Sequence, residues 1–346
     1  MTLARILPAL VVATLAVSAS PSHRAIAETN LRGAGSTFSA ALYSQWIETY
    51  HREHPAVSIT YDAVGSGEGV RRFVAGSVDF GASDVVLSDR EAAQVSRGAI
   101  MVPSTAGMVV LAYNLPGLSG ELRLPRDVYP GVLSGQIRYW DDPVIRKANP
   151  GLKLPHRDIV IVARRDSSGT TFALTSHMAA MSRAWREQGL GVGKLVEWPS
   201  ATMLASGNEG VASRIKISEG SIGYIEFGFA KRLGLPVALL QNRAGKFVAP
   251  NETTGRAAFA DVAAKTPAEL NQSIVDPSGA DAYPIVTFSW LLLYRQYPEP
   301  ERSAAVRDFV GWGLSAGQSL GEKIGYLPLP GDVAASGAQA LGSVGQ

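Results

Sequence analysis

The chain has 346 residues, which at roughly 150 residues per domain suggests about two domains. Hydrophobic residues make up 46% and charged residues 18%, which excludes a mainly disordered protein because the chain can bury a sizeable core. The 32 basic residues are balanced by 30 acidic ones, which excludes nucleic-acid binding by bulk charge. Cysteine is absent, which excludes disulfide frameworks, thiolate metal sites, cysteine nucleophiles and a lipidated N-terminal cysteine.

Residues 1–27 are typical of a secretory signal. Arg5 supplies the positive start, Ile6 to Ala19 form a short apolar run, and Ala25-Ile26-Ala27 is an A-x-A cleavage site. An earlier cut, after Ala19, also fits the pattern. Cleavage after Ala27 removes two arginines and no acid, so the mature chain is neutral. We therefore expect a soluble periplasmic protein without a lipid anchor.

Strand and helix signals alternate along the rest of the chain, which predicts α/β layers with a mixed or mostly parallel sheet. The segment from Gly331 onward is small and weakly patterned, which predicts a partly mobile end. Helical spacing predicts helices at about Ser39 to His54, Gly69 to Ala75, Thr170 to Arg186, Asn208 to Ile217 and around Val306 to Gly313. Strand patterns occur at Val57 to Tyr61, Ile100 to Pro103, Met108 to Tyr113, Ile159 to Ala163, Ile222 to Ile225, Val237 to Leu240 and Ile285 to Tyr294.

Three small-residue loops combine glycine with hydroxyl residues at the start of a predicted helix. They are Gly33–Phe38, Gly65–Gly69 and Arg164–Thr171. Glycine lets the backbone approach a ligand closely, and the unpaired N–H groups of a helix start favour an anion. Arg164 or Arg165 adds a forked cationic donor suited to phosphate or carboxylate. Each loop alone is typical of ordinary caps and turns. The three together with an arginine predict an anion site.

The segment Asp79–Asp84 carries an acid at each end. Both acids are compatible with a role as turn formers or helix caps. A second interpretation concerns selectivity, because a carboxylate beside a dianion is repulsive unless the ligand offers a proton. Phosphate near pH 7 carries an O–H and sulfate carries none. A buried carboxylate would therefore accept from phosphate and reject sulfate.

These segments, in this order, resemble the periplasmic phosphate-binding proteins of phosphate ABC transporters, the PstS family. The resemblance covers nearly the whole mature chain. It implies an α/β, two-lobed periplasmic binding protein fold, type II-like, with two hinge crossovers and the ligand in the interlobe cleft. The matching segments are Gly33–Phe38, Gly65–Gly69, Asp79–Asp84, Tyr139–Asp142, Asn149–Pro155, Arg164–Thr170 and Gly220–Tyr224.

The resemblance also implies roles for particular residues. Asp84 would accept the ligand's proton, and Arg164, four residues before Ser168, would be the cationic partner, oriented by Asp166. The neighbouring Arg165 is the alternative cation. Glu68 stands where the family often has a small residue, and its charge would weaken anion affinity. The implied phosphate-binding set is Thr37, Phe38 through its backbone N–H, Ser66, Asp84, Arg164, Ser168, Gly169 and Thr170.

The implied organisation is a discontinuous lobe I, 28–107 plus 286–346, and a lobe II, 108–285. Thr105–Ala112 and Ala282–Phe288 would be the hinges. The implied function is a receptor, not an enzyme, that delivers inorganic phosphate to a membrane ABC permease. We expect a monomer with no cofactor, no metal and no nucleic-acid partner. Two alternatives stay open: a receptor or sensor for a related oxyanion or phosphate ester, and a periplasmic phosphatase.

Three short motifs suggest other chemistry. Gly313–Gly317 matches the G-x-S-x-G pattern of serine hydrolases, but a helical pattern precedes it and no histidine follows it. Ser213–Lys216 matches S-x-x-K without the S-D-N and K-T-G motifs that accompany it in acyl-serine enzymes. His51 and His54 share a helix face at a spacing that suits a metal, and equally suits two solvated histidines.

Overall fold

A computed structural model of the protein describes residues 28–187, 190–259, 269–270 and 274–345. The predicted signal segment, 1–27, lies outside the described residues. The strands are β1 Thr29–Gly35, β2 Val57–Ala63, β3 Phe80–Ser83, β4 Ala99–Asn114, β5 Arg123–Leu124, β6 Val160–Arg164, β7 Met203–Ala205, β8 Ser221–Glu226, β9 Leu239–Gln241, β10 Phe247–Val248 and β11 Val286–Tyr294. The helices are α1 Ala40–Glu53, α2 Ser66–Val74, α3 Asp89–Ala93, α4 Tyr129–Leu133, α5 Pro143–Ala148, α6 Gly169–Met181, α7 Arg183–Glu187, α8 Gly207–Ile217, α9 Phe227–Leu233, α10 Glu252–Ala257, α11 Pro300–Leu314, α12 Gln318–Ile324 and α13 Gly331–Leu341.

A mixed eight-stranded sheet runs through the molecule in the order β2-β1-β3-β11-β4-β8-β6-β7. The strands β1, β2 and β3 are parallel to one another, and so are β8, β6 and β7. The long strands β11 and β4 lie between these groups and pair with each other in antiparallel fashion. A small sheet, β10-β9-β5, accompanies the large one. The predicted α/β architecture is confirmed.

The strand β4 belongs to both halves of this sheet. Its residues from Ala99 to Met108 pair with β11, and those from Val109 to Asn114 pair with β8. The part built on β1, β2, β3 and β11 is called the β1 half here, and the part built on β8, β6 and β7 the β6 half. The chain therefore passes from one half to the other inside a continuous strand, as expected for a two-lobed fold.

Each of the segments that suggested an anion site spans or follows the end of a strand. Ser36 follows the last residue of β1, Asp84 follows β3, and Arg164 is the last residue of β6. Ligands of open α/β sheets bind outside the carboxyl ends of the strands. The topology thus directs these segments to a common region.

The predicted strands Ile100–Pro103 and Met108–Tyr113 form one strand in the structure. The residues between them, 104–107, are small and lack the large apolar side chains of the runs on either side. Ser104 satisfies its hydroxyl inside the sheet, donating to Ser289 O at 2.9 Å and lying 2.6 Å from Tyr43 Oη. Buried hydroxyls with partners do not end a strand.

Two predicted helices have different bounds in the structure. α2 begins at Ser66, earlier than the predicted Gly69. The single helix predicted over Thr170 to Arg186 is divided at Ser182, whose backbone is extended at φ −116° and ψ 115°. The hydrophobic pattern continues across this break, so spacing alone does not reveal it.

The C-terminal segment forms a helix, which its weak sequence pattern does not predict. Val333 and Leu341 of α13 are buried. A Cβ at Gly337 would lie 3.2 Å from the Pro103 ring, so the small residues that weaken the sequence pattern let this helix pack closely on β4.

The core of the β1 half is built on the face that the sequence predicts for α1, where Leu42, Tyr43, Trp46 and Tyr50 are buried. Every residue of β11 is buried as well. Among the described residues, helices are all too short or too polar to cross a membrane.

Candidate functional site

The three loops meet across the cleft between the two halves of the sheet. Gly169 N–H, at the start of α6, donates to Ser66 Oγ at 3.2 Å, and Gly67 N–H donates to Ser167 O at 3.0 Å. Asn208 Nδ2 donates to Thr37 Oγ1 at 3.0 Å. Each bond joins the β1 half to the β6 half, so the cleft is closed around the residues that the sequence singled out.

Asp84 lies at the centre of this cleft and is 1% exposed. Its Oδ1 accepts from Ser36 Oγ at 2.5 Å and from Ser289 Oγ at 2.8 Å. Its Oδ2 accepts from Ser66 Oγ at 3.3 Å, which is a long and weak bond. One carboxylate oxygen is thus fully engaged by the protein, and the other retains capacity for a further donor.

Burial is the largest influence on the pKa of Asp84. It raises the pKa of this carboxyl to about 6, against hydrogen bonds from Ser36 and Ser289 and the charge of Arg164, which all lower the pKa. Above that pH the group is a buried carboxylate, and a buried carboxylate needs donors.

Gly169 brings the start of α6 against this carboxylate. A Cβ at this position would lie 2.5 Å from Asp84 Oδ2 and 2.6 Å from Ser66 Oγ, so any side chain would collide with both. Only glycine allows the helix N-terminus to approach so closely. The 13-residue helix α6 begins here, with Gly169 N–H on Ser66 Oγ and Thr171 N–H on Ser168 Oγ, so the positive end of its dipole lies beside Asp84.

Arg164 supplies the positive charge at the site. Its Nε donates to Asp166 Oδ1 at 2.7 Å, and its Nη2 donates to Asp166 Oδ2. Its Nη1 is buried and has no partner among the described residues. The guanidinium is therefore held by one edge, and Nη1 is the donor that remains for a ligand.

Asp166 fixes Arg164 in this orientation. Burial alone would raise the pKa of Asp166, but hydrogen bonds from Arg164 and from Gly207 N–H outweigh it, so the pKa is lowered. The carboxylate thus stays ionised, and it forms an ion pair with Arg164. The role implied for Asp166 fits this arrangement.

The Arg165 side chain lies at the surface, beside the cavity that adjoins the site, and not among the buried donors. It is exposed, and its Nε donates to Ser206 Oγ at 2.7 Å. Arg164 is 2% exposed and lies within electrostatic reach of Asp84. Of the two arginines, the structure brings Arg164 to the cleft.

The other expected donors differ in how many of their hydrogen bonds are already made within the protein. The Phe38 N–H donates to Ser36 Oγ at 3.0 Å, so this expected donor already has an internal partner. Ser168 Oγ accepts from Thr171 N–H at 3.1 Å as a helix cap, which leaves its hydroxyl proton to give. Thr37 and Thr170 are buried and both accept from Asn208.

Glu68 does not face the cleft donors. Hydrogen bonds from Arg71 and Arg72 lower the pKa of Glu68 to about 2. Arg72 also reaches Asp62 at 2.7 Å. The extra acid is thus neutralised along one side of α2, which removes the reason to expect weaker anion affinity.

Three residues of the site have no assigned role in the sequence analysis: Ser36, Ser289 and Asn208. Ser36 lies inside the first loop, so the small-residue pattern already includes it. Ser289 stands in an apolar strand, and only the hydroxyl at a buried position hints at a polar partner. Asn208 follows Gly207, whose φ of 69° is unusual at a helix start. An asparagine there is easily taken for an ordinary cap.

A cavity of about 470 Å³ adjoins the closed site. Thr37 and Asp166 of the site belong to its lining, and Ala63, Val64 and Phe229 contribute apolar walls. It is the mouth of the cleft between the two halves.

The competing motifs lie away from the cleft and have structural contacts. Gly313 packs against Trp46, where a Cβ would come within 2.5 Å of the indole. Lys216 Nζ donates to Leu233 O at 2.9 Å. His51 Nδ1 lies 2.9 Å from Val57 O, and the His54 ring stacks on Tyr50.

Comparison with known proteins identifies the family. Residues 19–316 match the model of the PBP superfamily domain. The phosphate-binding protein PstS of Methanocaldococcus jannaschii is 36% identical over 335 residues, which cover 91% of this chain and 86% of that protein. The phosphate-binding protein PstS of Pasteurella multocida is 34% identical over 304 residues, covering 88% of this chain and 87% of that protein.

Solved structures share the fold. A high-affinity periplasmic phosphate-binding protein, PfluDING, bound with phosphate, superposes with a TM-score of 0.72 at 23% identity, over 89% of this chain and 92% of that one. The phosphate-binding protein of Stenotrophomonas maltophilia gives a TM-score of 0.71 at 21% identity, over 90% and 93% of the two chains. The chain therefore belongs to the PBP superfamily and, within it, to the family of PstS phosphate-binding proteins.

Proposed function

We propose that this protein is a high-affinity receptor for hydrogen phosphate. The observation that carries the proposal is the pairing of one acceptor with several donors in a closed, buried cleft. Asp84 Oδ2 retains capacity for one proton, and Arg164 Nη1 is a buried donor without a protein partner. Thr37, Phe38, Ser66, Ser168, Gly169 and Thr170 complete the proposed phosphate-binding set, and Asp166 orients Arg164.

Hydrogen phosphate fits this arrangement because it has one O–H and three further oxygens that accept. Its proton would meet Asp84, and its other oxygens would meet Arg164, the hydroxyls and the start of α6. Sulfate offers the same oxygens without the proton, so it would leave the Asp84 carboxylate repelled and unpaired. Arsenate also carries a proton near pH 7, so it would bind.

Calorimetric titration tests the proposal directly. The exported protein is unfolded and refolded to strip bound anion, then titrated with phosphate and with sulfate near pH 7.5. We expect tight one-to-one binding of phosphate and no heat from sulfate. Absence of phosphate binding, or equal binding of sulfate, contradicts the proposal.

We propose that the protein binds without turning over its ligand and hands phosphate to a membrane ABC permease as a monomer. The family of PstS relatives supports this, as does a site built from donors around one acceptor. Incubation with a chromogenic phosphate ester separates this proposal from a phosphatase. Release of the chromophore above the uncatalysed rate contradicts it.

The proposed location is the periplasm, after removal of residues 1–27. The sequence of that segment supports export, and a structural relative that binds phosphate is described as periplasmic.

The proposed lobes are 28–107 plus 286–346 for lobe I and 108–285 for lobe II. The change of partner along β4, between Met108 and Val109, supports this division, and β11 begins at Val286. Thr105–Ala112 and Ala282–Phe288 would bend as the cleft opens and closes.

A phosphate monoester is a second candidate, favoured by the cavity of about 470 Å³ at the mouth of the cleft. The ester group would lie in that cavity, between Thr37 and Phe229. A monoester with a second pKa near 6 has no O–H at pH 7.5, however, and Asp84 would repel it as it repels sulfate. Titration with glycerol 3-phosphate distinguishes the two ligands, since binding as tight as that of phosphate favours the ester.

A further inference from the structure

Asn208 contacts two of the proposed phosphate-binding hydroxyls without belonging to the proposed set itself. It is fully buried. Its Nδ2 donates to Thr37 Oγ1 at 3.0 Å and to Thr170 Oγ1 at 3.1 Å. Both protons of the amide are therefore used on these two threonines.

The orientation of the Asn208 amide is fixed by its other end. Asn208 Oδ1 accepts from the backbone N–H of Glu226 at 2.9 Å. An amide turned the other way would place its NH₂ group against a backbone N–H, which is repulsive. Nδ2 must therefore face Thr37 and Thr170, and it can only donate to them.

The hydrogen-bond valence of Thr37 then determines where its proton goes. A hydroxyl oxygen has two lone pairs and one proton. Thr37 Oγ1 accepts from Asn208 Nδ2 and from the Asn208 backbone N–H at 3.2 Å, so both lone pairs are occupied. Thr37 can therefore act only as a donor, and no described residue accepts its proton.

The hydroxyl of Thr170 is constrained in the same direction but less completely. One lone pair of its hydroxyl accepts from Asn208 Nδ2, and the described part of the chain provides no acceptor for its proton. Thr170 lies one residue after Gly169, at the start of α6 beside Asp84. Its proton is thus free to face the same cleft.

We propose that Asn208 orients the hydroxyls of Thr37 and Thr170 so that both present protons to the bound anion. This inference rests on the proposed function and deepens it. Asn208 is a positioning residue that touches no ligand. It makes Thr37 an obligate donor, and it occupies one lone pair of Thr170 so that the proton of that hydroxyl is directed away from the amide. Asp84 then stays the acceptor for the ligand's proton, and the polarity of the site matches an anion with one O–H.

A simpler role for Asn208 is that of a latch, because its bond to Thr37 crosses between the two halves of the sheet. Thr170 distinguishes the two roles, since Thr170 and Asn208 both lie in the β6 half. A latch does not require any coupling between these two residues. Orientation of the hydroxyl requires it.

The test is a double-mutant cycle on Asn208 and Thr170, with phosphate affinity as the measurement. We expect Asn208→Ala to weaken phosphate binding by about tenfold to hundredfold, because oriented donors to a charged ligand are lost. In a Thr170→Val background the same change should cost at least about threefold less. Equal costs in both backgrounds overturn the proposal, because they leave Asn208 with a latch role only.

Asn149 provides a matched control. It is 4% exposed, its Nδ2 donates to Arg123 O and Ile145 O at 2.8 Å, and its Oδ1 accepts from Arg123 N–H at 2.7 Å. It thus makes the same number of side-chain hydrogen bonds as Asn208, away from the cleft and from both proposed hinges. Asn149→Ala should lower the unfolding temperature and leave phosphate affinity unchanged. An equal loss of affinity in Asn149→Ala attributes the Asn208 effect to general destabilisation and overturns the proposal.

Asn208→Asp serves if Asn208→Ala does not fold. The carboxylate keeps the shape of the amide but accepts hydrogen bonds, so the threonine protons would turn away from the anion. Phosphate binding should then be lost by more than about a hundredfold. Affinity within about twofold of the wild-type value overturns the proposal. A wild-type protein that does not bind phosphate contradicts the proposed function itself, so the two failures are distinguishable.

Discussion

Ser289 and Asp84, 205 positions apart in the chain, are joined by a hydrogen bond of 2.8 Å from Ser289 Oγ to Asp84 Oδ1. Ser36 donates to the same oxygen at 2.5 Å. The long strand β11 therefore helps to hold Asp84 and to saturate one of its carboxylate oxygens. The other oxygen, Oδ2, faces Ser66 and the start of α6. A carboxylate that is half engaged in this way has one well-defined direction in which to accept a proton.

Asp84→Asn should lower the preference for phosphate over sulfate. An amide is neutral and can turn its NH₂ group towards the ligand, so sulfate is no longer repelled and phosphate loses its acceptor. We expect phosphate affinity to fall by at least about tenfold and sulfate binding to become measurable by calorimetry. Unchanged selectivity contradicts the role of Asp84.

Asp79→Asn is the matched control for that experiment. Asp79 accepts from Arg32 N–H at 2.7 Å and forms an ion pair with Arg302 at 2.8 Å, so its contacts are structural. The variant should unfold at a lower temperature and keep the phosphate-to-sulfate preference. A change of preference in Asp79→Asn means that selectivity responds to general loosening of the fold.

The variants Arg164→Ala and Arg165→Ala should differ clearly in their affinity for phosphate. Removing Arg164 takes away the buried donor and leaves Asp166 without its main partner, so phosphate affinity should fall by more than about a hundredfold. Arg165 is exposed and donates to Ser206, so its removal should change affinity by less than about threefold. The measurement is the phosphate dissociation constant of both variants at one ionic strength. If Arg165→Ala weakens binding more than Arg164→Ala, the cationic partner of the ligand is Arg165 and not Arg164.

Glu226 should give the protein a pH-dependent stability. This carboxyl is fully buried at the end of β8, and burial raises its pKa from the ordinary value of 4.5 to about 8. The folded state therefore binds a proton that the unfolded state has released, and the contribution of Glu226 to stability is lost as the pH rises from about 4.5 to about 8. Glu226→Gln removes this titration.

The measurement is the unfolding midpoint of Glu226→Gln and of the wild-type protein between pH 5 and pH 8.5. The difference between the two unfolding midpoints should grow with pH, because the variant becomes more stable relative to the wild-type protein. His177 acts in the opposite sense in both proteins: burial lowers its pKa to about 4, so its contribution is lost as the pH falls through the window from 6.5 to 4. Comparison of the two proteins cancels it. Parallel curves contradict the assignment to Glu226.

The sequence predicts the parts of the site that are local. The glycine and hydroxyl pattern of Gly65–Gly69 and Arg164–Thr171 arises within a few residues, because a helix start needs those residues wherever it occurs. It does not predict which strand supplies a partner from far along the chain. Ser289 stands in an apolar strand, and its bond to Asp84 exists only because β11 lies between β3 and β4.

Partners that are distant in the chain also decide details of the fold that the sequence does not predict. The α/β alternation predicts the sheet, but the small residues inside β4 divide it into two predicted strands until Ser104 finds its partners in Ser289 and Tyr43. Asn208 is predicted only as the start of a helix, and its role becomes visible when Thr37 and Thr170 are seen on either side of its amide. In both cases the missing information is the tertiary partner that satisfies a buried polar group.

The ion pair between Lys194 and Glu91 should contribute to the closed cleft. Their Nζ and Oε1 atoms are 3.2 Å apart, one residue in each half of the molecule, and both side chains are about a quarter to a third exposed, at 26% and 29%. Lys194→Met removes the pair and should speed phosphate dissociation by about twofold to fivefold, as expected for a partly exposed pair. Lys246→Met is the control, because Lys246 pairs with Asp281 at exposures of 57% and 70% away from the cleft. Stopped-flow dissociation measures both variants, and the effect of Lys194→Met should shrink as salt screens the pair. Equal dissociation rates in the two variants mean that this pair does not hold the cleft closed.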